Sequence, residues 1–253
     1  MILKFAIKKF GTPAWRTLGA GVVLIGVLAA PGIVVAKKVE ADRATIDAGK
    51  SVAVLFHSAR VVISRNQDLI NDAGKGDKGL TGDEVVSQTK KVYADLTGAP
   101  LGSGKDQQLL LDAIRAVMDE NQETINAQGT GFKGFVPATF GRQVADKVAA
   151  VSSIEIRQTN SRVRNRKNRA DEWEKRVIEM VPKTATGSPP KVFRESFSER
   201  GKAVHRFLVP EYYESSCLAC HGGPKGERDI TGSKMEGRGT GDLGGAISVI
   251  YKG

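Results

Sequence analysis

Cys217-Leu218-Ala219-Cys220-His221 contains both cysteines and one of the three histidines of the 253-residue chain. Two thiols separated by two residues, with an imidazole directly after the second, form the attachment pattern of c-type haem. Each thiol adds across one vinyl group to give a thioether, so the two sulfurs must straddle one edge of the macrocycle. The imidazole that follows is then placed to reach the iron as proximal ligand. Gly222 and Gly223 let the backbone turn sharply and approach closely. Two other chemistries use Cys-x-x-Cys. A structural zinc site wants about four protein ligands, and beyond the motif only His57 and His205 remain to help. A thiol or disulfide pair of the thioredoxin kind opens a helix after an early βα unit. This motif lies near the C-terminal end, with no helix expected after it. Haem attachment is the reading these residues favour.

An attached haem has a second axial position. His57 lies in a helical stretch and flanks the apolar stripe of Leu55, Val62 and Leu69, which suits an iron ligand or a boundary residue. His205 and Met235 are further candidates. Met118 and Met180 carry thioethers but fit core positions better, and the position could also stay open. The second constellation is basic. Arg157, Arg162, Arg164, Arg166, Lys167 and Arg169 crowd into residues 157–169, with Asn160, Asn165 and Asn168 between them. Such runs are commonly solvated loops. Guanidinium forks also suit carboxylates, which makes Arg162 and Arg164 candidates for the haem propionates. Asp171, Glu172 and Glu174 follow and could neutralise part of the run.

The elements that must position these groups can be read from periodicity. Leu55, Val62 and Leu69 recur every seven residues with Val54 and Val61 beside them, which predicts one long helix over 40–72. Further helices are expected over 83–96, 106–127 and from Pro137 to about Ala150, stopped by glycines or opened by proline. Leu110, Ile114, Val117 and Ile125 share one face of the third. The pattern then changes. Ser153–Thr159 alternates as a strand, Asp171–Val181 reads as a helix, and Lys191–Phe197 and Ala203–Val209 alternate around the turn Arg200-Gly201-Lys202 as a hairpin. A glycine-rich loop spans Gly222–Gly241, and Gly245–Tyr251 closes the chain as a strand. Helices first and antiparallel strands later imply an α+β fold.

Residues 1–38 stand apart from the domain at 39–253. Lys4, Lys8, Lys9 and Arg16 precede an uncharged apolar run from Thr17 to Ala36, followed by Lys37 and Lys38. Twenty helical residues span about 30 Å, enough to cross a bilayer core. The basic flank predicts a cytoplasmic N-terminus and an exported remainder. This makes a single-pass inner-membrane anchor with a periplasmic domain. A cleaved signal peptide leaving a soluble periplasmic domain is the alternative. Either agrees with thioether attachment, which bacteria carry out outside the cytoplasm. The chain carries 38 Lys and Arg against 28 Asp and Glu, a net charge of +10. Six of those basic groups lie in residues 1–38, where no acidic group does, so the domain keeps 32 against 28, or +4. That is an ordinary solvated surface, and nucleic acid is not an expected partner.

Gly131-Phe132-Lys133-Gly134-Phe135-Val136-Pro137-Ala138-Thr139-Phe140, the segment from Arg162 to Glu174, Cys217–Gly223 and Gly241–Val249 together resemble the bacterial haem c-binding PAS-like sensor domains. The resemblance spans roughly residues 45–252. It implies a PAS-like antiparallel sheet packed by long N-terminal helices and holding one covalent haem c. Relatives often precede kinases or chemoreceptor modules and are thought to sense redox state or small gaseous ligands. A cyanobacterial member takes its distal ligand from a cysteine on an N-terminal helix. This chain has no cysteine there, which leaves His57 as the substitute. No output module follows Gly253, so signalling is expected to pass through a separate partner protein, with homo-oligomers left open. The expected function is a redox or small-ligand sensor. The alternative is an electron-transfer c-type cytochrome, which needs the same motif. With one of three histidines spent on iron and no distal acid–base set in view, catalysis is not expected.

Overall fold

The computed structural model describes residues 38–185 and 190–253. Apart from Lys38, the expected membrane or signal segment lies outside the described residues. Among the described residues no helix is long and apolar enough to cross a membrane.

Asp42 opens the first helix by accepting from the Thr45 amide at 2.8 Å, as an N-cap should. α1 runs Arg43–Arg65 and α2 Gln67–Asn71, so the single helix expected over 40–72 is broken at Asn66. The Asn66 side chain donates back to the Val62 carbonyl at 2.9 Å and across to Gln88 at 3.0 Å. Such side-chain bonds compete with the helical ladder. α3 covers Gly82–Thr97 and ends at Gly98 in the left-handed region, φ 72°. The helix expected over 106–127 is divided by the same device. α4, Lys105–Glu120, stops at Asn121, whose side chain bonds the Val117 carbonyl and Gln143, and α5 continues over Gln122–Asn126. α6 is Pro137–Val151, with proline in its first turn.

The strands are β1 Ile154–Thr159, β2 Phe193–Glu199, β3 Lys202–Tyr212 and β4 Leu243–Lys252, in the antiparallel order β1-β4-β3-β2. The β2–β3 hairpin turns through Arg200 and Gly201, both at positive φ, which matches the right-handed twist of the paired strands. β3 is longer than expected and carries on through Pro210 to Tyr212. Alternation assigns the two faces. Ile156, Phe207, Val209, Ile247 and Val249 pack with Leu55, Phe56, Ile63, Ile114 and Phe140 in the main core. Leu208 and Ala246 face the other way, onto Trp173, Val177 and Ile178 of α7, Glu172–Met180. α1 touches α3, α4, α6, β3 and β4, so it is the spine on which helices and sheet meet. Its approach to the sheet is close. A Cβ at Gly49 would lie 2.1 Å from the Phe207 ring, and truncating the buried Phe207 would cost about 3–5 kcal/mol. The fold is α+β, a helical layer on a four-stranded antiparallel sheet.

Candidate functional site

β3 ends, a 3-10 turn covers Ser215–Cys217, and the short helix α8, Leu218–His221, carries the rest of the motif. Both thiols are unlinked and half-buried. The turn after them closes with the Gly222 amide on the Leu218 carbonyl at 2.8 Å. The motif opens onto a cleft of about 590 Å³, a size usual for cofactor sites, about 300–1,000 Å³. One wall is a single stripe of α1: His57, Arg60, Val61 and Ser64, spaced as a helix face requires. The N-terminus of α6, the end of β1, the basic run and the ends of β3 and β4 supply the rest. A separate hollow of about 390 Å³ between α3 and α4, around Lys90, Leu101 and Gln108, has no thiol, imidazole or carboxylate in its lining.

His221 is held on its Nδ1 side. A carboxylate only accepts, so Nδ1 donates to Glu236 Oε2 at 2.9 Å. The Tyr213 ring stacks on the imidazole with centroids 4.8 Å apart. Burial, with Arg164 nearby, pushes the His221 pKa down against the pull of Glu236, and the Nδ1 contact leaves Nε2 as the other ring nitrogen. Burial likewise pushes the Cys220 thiol up, with Asp229 adding to it. Arg164 clamps Glu236 with Nε and Nη2 at 2.6 and 2.9 Å. It also donates to Asp229 at 2.5 Å, to the Cys220 carbonyl at 2.7 Å and to the Lys234 carbonyl at 3.1 Å. The Asp229 side chain is fully buried, and its other oxygen accepts from Thr231 and Ser233. The glycine-rich loop is thereby laced to the motif.

His57 stands on α1 with its side chain 12% exposed, and its surroundings repeat the arrangement. Its Nδ1 donates to Glu211 Oε1 at 3.2 Å. Arg60 forks onto the same carboxylate at 2.9 and 3.1 Å and also holds the Pro137 carbonyl at 2.7 Å. Burial alone would raise the Glu211 carboxyl, but Arg60 and then His57 hold it down at about 2. Further along α1, Ser64 contacts Ser216 at 2.9 Å and the Cys217 sulfur at 3.5 Å.

The structure sorts the residues expected from sequence. Cys217, Cys220, His221, His57, Arg162 and Arg164 all line the one cleft. Arg164, expected to meet propionates, directs all three of its nitrogens to protein acceptors, whereas Arg162 is exposed on the cleft wall. His205 bonds Ser196 in the hairpin at 2.9 Å, and neither it nor Met235 lines the cleft. Met118 is fully buried in the helical core. Met180 corrects an expectation. It is 67% exposed, because α7 ends there and Val181, one residue on, takes the buried position.

The Tll0287-like family model matches residues 104–251, more than half of the chain. The chain belongs to the Tll0287-like family. The Tll0287-like region holds the motif, Arg164, Glu211 and Glu236. It starts well after residue 45, where the resemblance read from sequence began, and so leaves out α1 with His57 and Arg60. The crystal structure of the cyanobacterial heme-protein Tll0287 aligns at 20% identity with a TM-score of 0.39, covering 58% of this chain and 95% of that chain. No curated protein matches.

Sequence reasoning missed Arg60, Glu211, Tyr213, Asp229 and Glu236. Arg60 was within reach, since it lies one helical turn after His57 on the same face. Glu211 shares the parity of Phe207 and Val209 on β3, which places it on the helix side of the sheet. Nothing local marks Asp229 or Glu236 within a glycine-rich loop.

Proposed function

We propose that this domain is a PAS-like haem c module on the exported side of the inner membrane, anchored by the N-terminal segment. In this reading it senses redox state or a small ligand and signals through a separate protein. Cys217 and Cys220 would hold the porphyrin, each S–H having added across a vinyl double bond so that sulfur bonds one carbon and the hydrogen goes to the other. The donor set supports this fit: two unlinked thiols two residues apart, an imidazole held through Nδ1, and one cleft of cofactor size. Gln67, on the cleft wall, keeps its buried Oε1 without a partner among the described residues.

A haem held here would supply one-electron chemistry. His221 offers Nε2 from the motif side because Glu236 occupies Nδ1. His57 offers Nε2 from α1 because Glu211 occupies its Nδ1. Arg162 and Arg142, exposed on the cleft wall, are the cations for propionate carboxylates. The observation that carries the sensor reading is that His57 and the motif line one cleft from different elements. His57 rides on the helix that seats on the sheet at Gly49, so its engagement or release bears on how α1 sits. A ligand shifts such an equilibrium only by binding the two states differently.

Ferric and ferrous spectra, with and without carbon monoxide, test this. If His57 is an iron ligand, carbon monoxide should have to displace it in the ferrous wild type. In His57→Ala no internal ligand has to leave, and carbon monoxide binds about tenfold or more tightly. Equal binding in the two proteins removes His57 as a ligand. If neither redox state exchanges a ligand, sensing falls and the electron-carrier reading takes its place, a role that two pinned imidazoles also suit.

A further inference from the structure

The nearer partner of the proximal imidazole Nδ1 is a full carboxylate at 2.9 Å, with the Tyr213 hydroxyl at 3.3 Å, and that carboxylate is not free to swing. Both Glu236 oxygens are forked by Arg164, at 2.6 and 2.9 Å. Arg164 is itself fixed by the fully buried Asp229 and by the carbonyls of Cys220 and Lys234. Stacked Tyr213 sets the plane of the ring. An anionic acceptor at Nδ1–H draws the proton away from the ring and makes Nε2 a stronger donor. A stronger axial donor stabilises ferric over ferrous iron.

We infer that Glu236, clamped by Arg164, is the positioning residue that sets the donor strength of His221 and thereby lowers the reduction potential of the bound haem. This rests on the haem c reading above. Glu236 acts through its hydrogen bond with His221 Nδ1. Its place in a loop fifteen residues beyond the motif's histidine makes that loop the element through which the potential is tuned.

The test is a spectroelectrochemical titration of the full-length holoprotein and of Glu236→Gln, which keeps the shape and removes the charge. The expected result is covalent haem as in wild type, with the ferrous form favoured about tenfold more. For one electron that is an upward shift of about 59 mV. A variant with normal haem and an unchanged potential overturns the inference and leaves the haem reading standing. Absence of covalent haem from the wild type removes the reading on which it rests. A wild-type measurement tests the hydrogen bond on which the inference depends even if the variant fails to fold. In the ferrous holoprotein the His221 Nδ1 proton should resonate downfield and exchange slowly with water. Exchange as fast as that of a water-facing imidazole overturns the role of Glu236.

Discussion

Gly222 shows how tightly the motif is built. A Cβ there would lie 2.5 Å from the Leu218 carbonyl oxygen, a backbone atom that cannot step aside, whereas a Cβ at Gly223 meets nothing nearer than 3.9 Å. Gly222→Ala should therefore strain the turn after His221 by about 1–3 kcal/mol. Intact-mass measurement should find a smaller fraction of chains carrying haem, with Gly223→Ala unchanged. Equal yields from both variants would mean that the turn does not hold the motif. At this scale the shared cleft of the cysteines and His221 was legible, because the three are neighbours in sequence. Arg164 was legible only as a cation. Its acceptors at Cys220, Asp229 and Glu236 lie 56, 65 and 72 residues away, and no local pattern carries a pairing of that range. The basic run thus read either as a solvated loop or as an arm for propionates, and Arg164 is in addition an internal strut.

Among the elements, α7 is fastened by charge as well as by packing. Asp171 caps the helix, and Glu174 completes a capping box. Arg206 on β3 reaches both carboxylates and lies over the Trp173 ring at 4.6 Å. Burial alone would raise the Asp171 carboxyl. Arg206 and the Glu174 amide more than offset it and hold it below the usual carboxylate range. A depressed carboxyl stabilises the fold above its unfolded pKa, about 3.9. That contribution is lost as pH falls through the lower folded value. Asp171→Asn keeps a capping side chain and removes the charge. It should lower stability at neutral pH by about 1 kcal/mol, and the gap should close on acidification below the carboxylate range. Urea unfolding at the two pH values checks this, and a gap independent of pH contradicts it. The elements themselves were largely readable from periodicity. The two breaks at Asn66 and Asn121 were not, because each depends on a glutamine from another helix, Gln88 and Gln143. An apolar stripe that continues past the break hides it.

Taken whole, the molecule sets a helical layer against one face of a four-stranded sheet and gathers its chemistry at the sheet's end. The order of helices before antiparallel strands was enough to give the α+β class. The cleft was beyond that reading, since it forms only where α1, the β3 terminus and the loop after the motif converge. Two Arg–Glu–His sets face it, Arg60–Glu211–His57 and Arg164–Glu236–His221. Each occupies the Nδ1 of its imidazole, and under the haem c proposal the other nitrogen is the one that would serve as ligand. The account depends on what the two sulfurs hold. The most direct measurement is a pyridine haemochrome spectrum with intact mass, on the full chain produced alongside a haem c maturation system. The account predicts one haem that stays on the denatured chain in the wild type, a single remaining thioether in Cys217→Ala or Cys220→Ala, and none in the double variant. A colourless wild-type chain, or haem that extracts freely after denaturation, would contradict it.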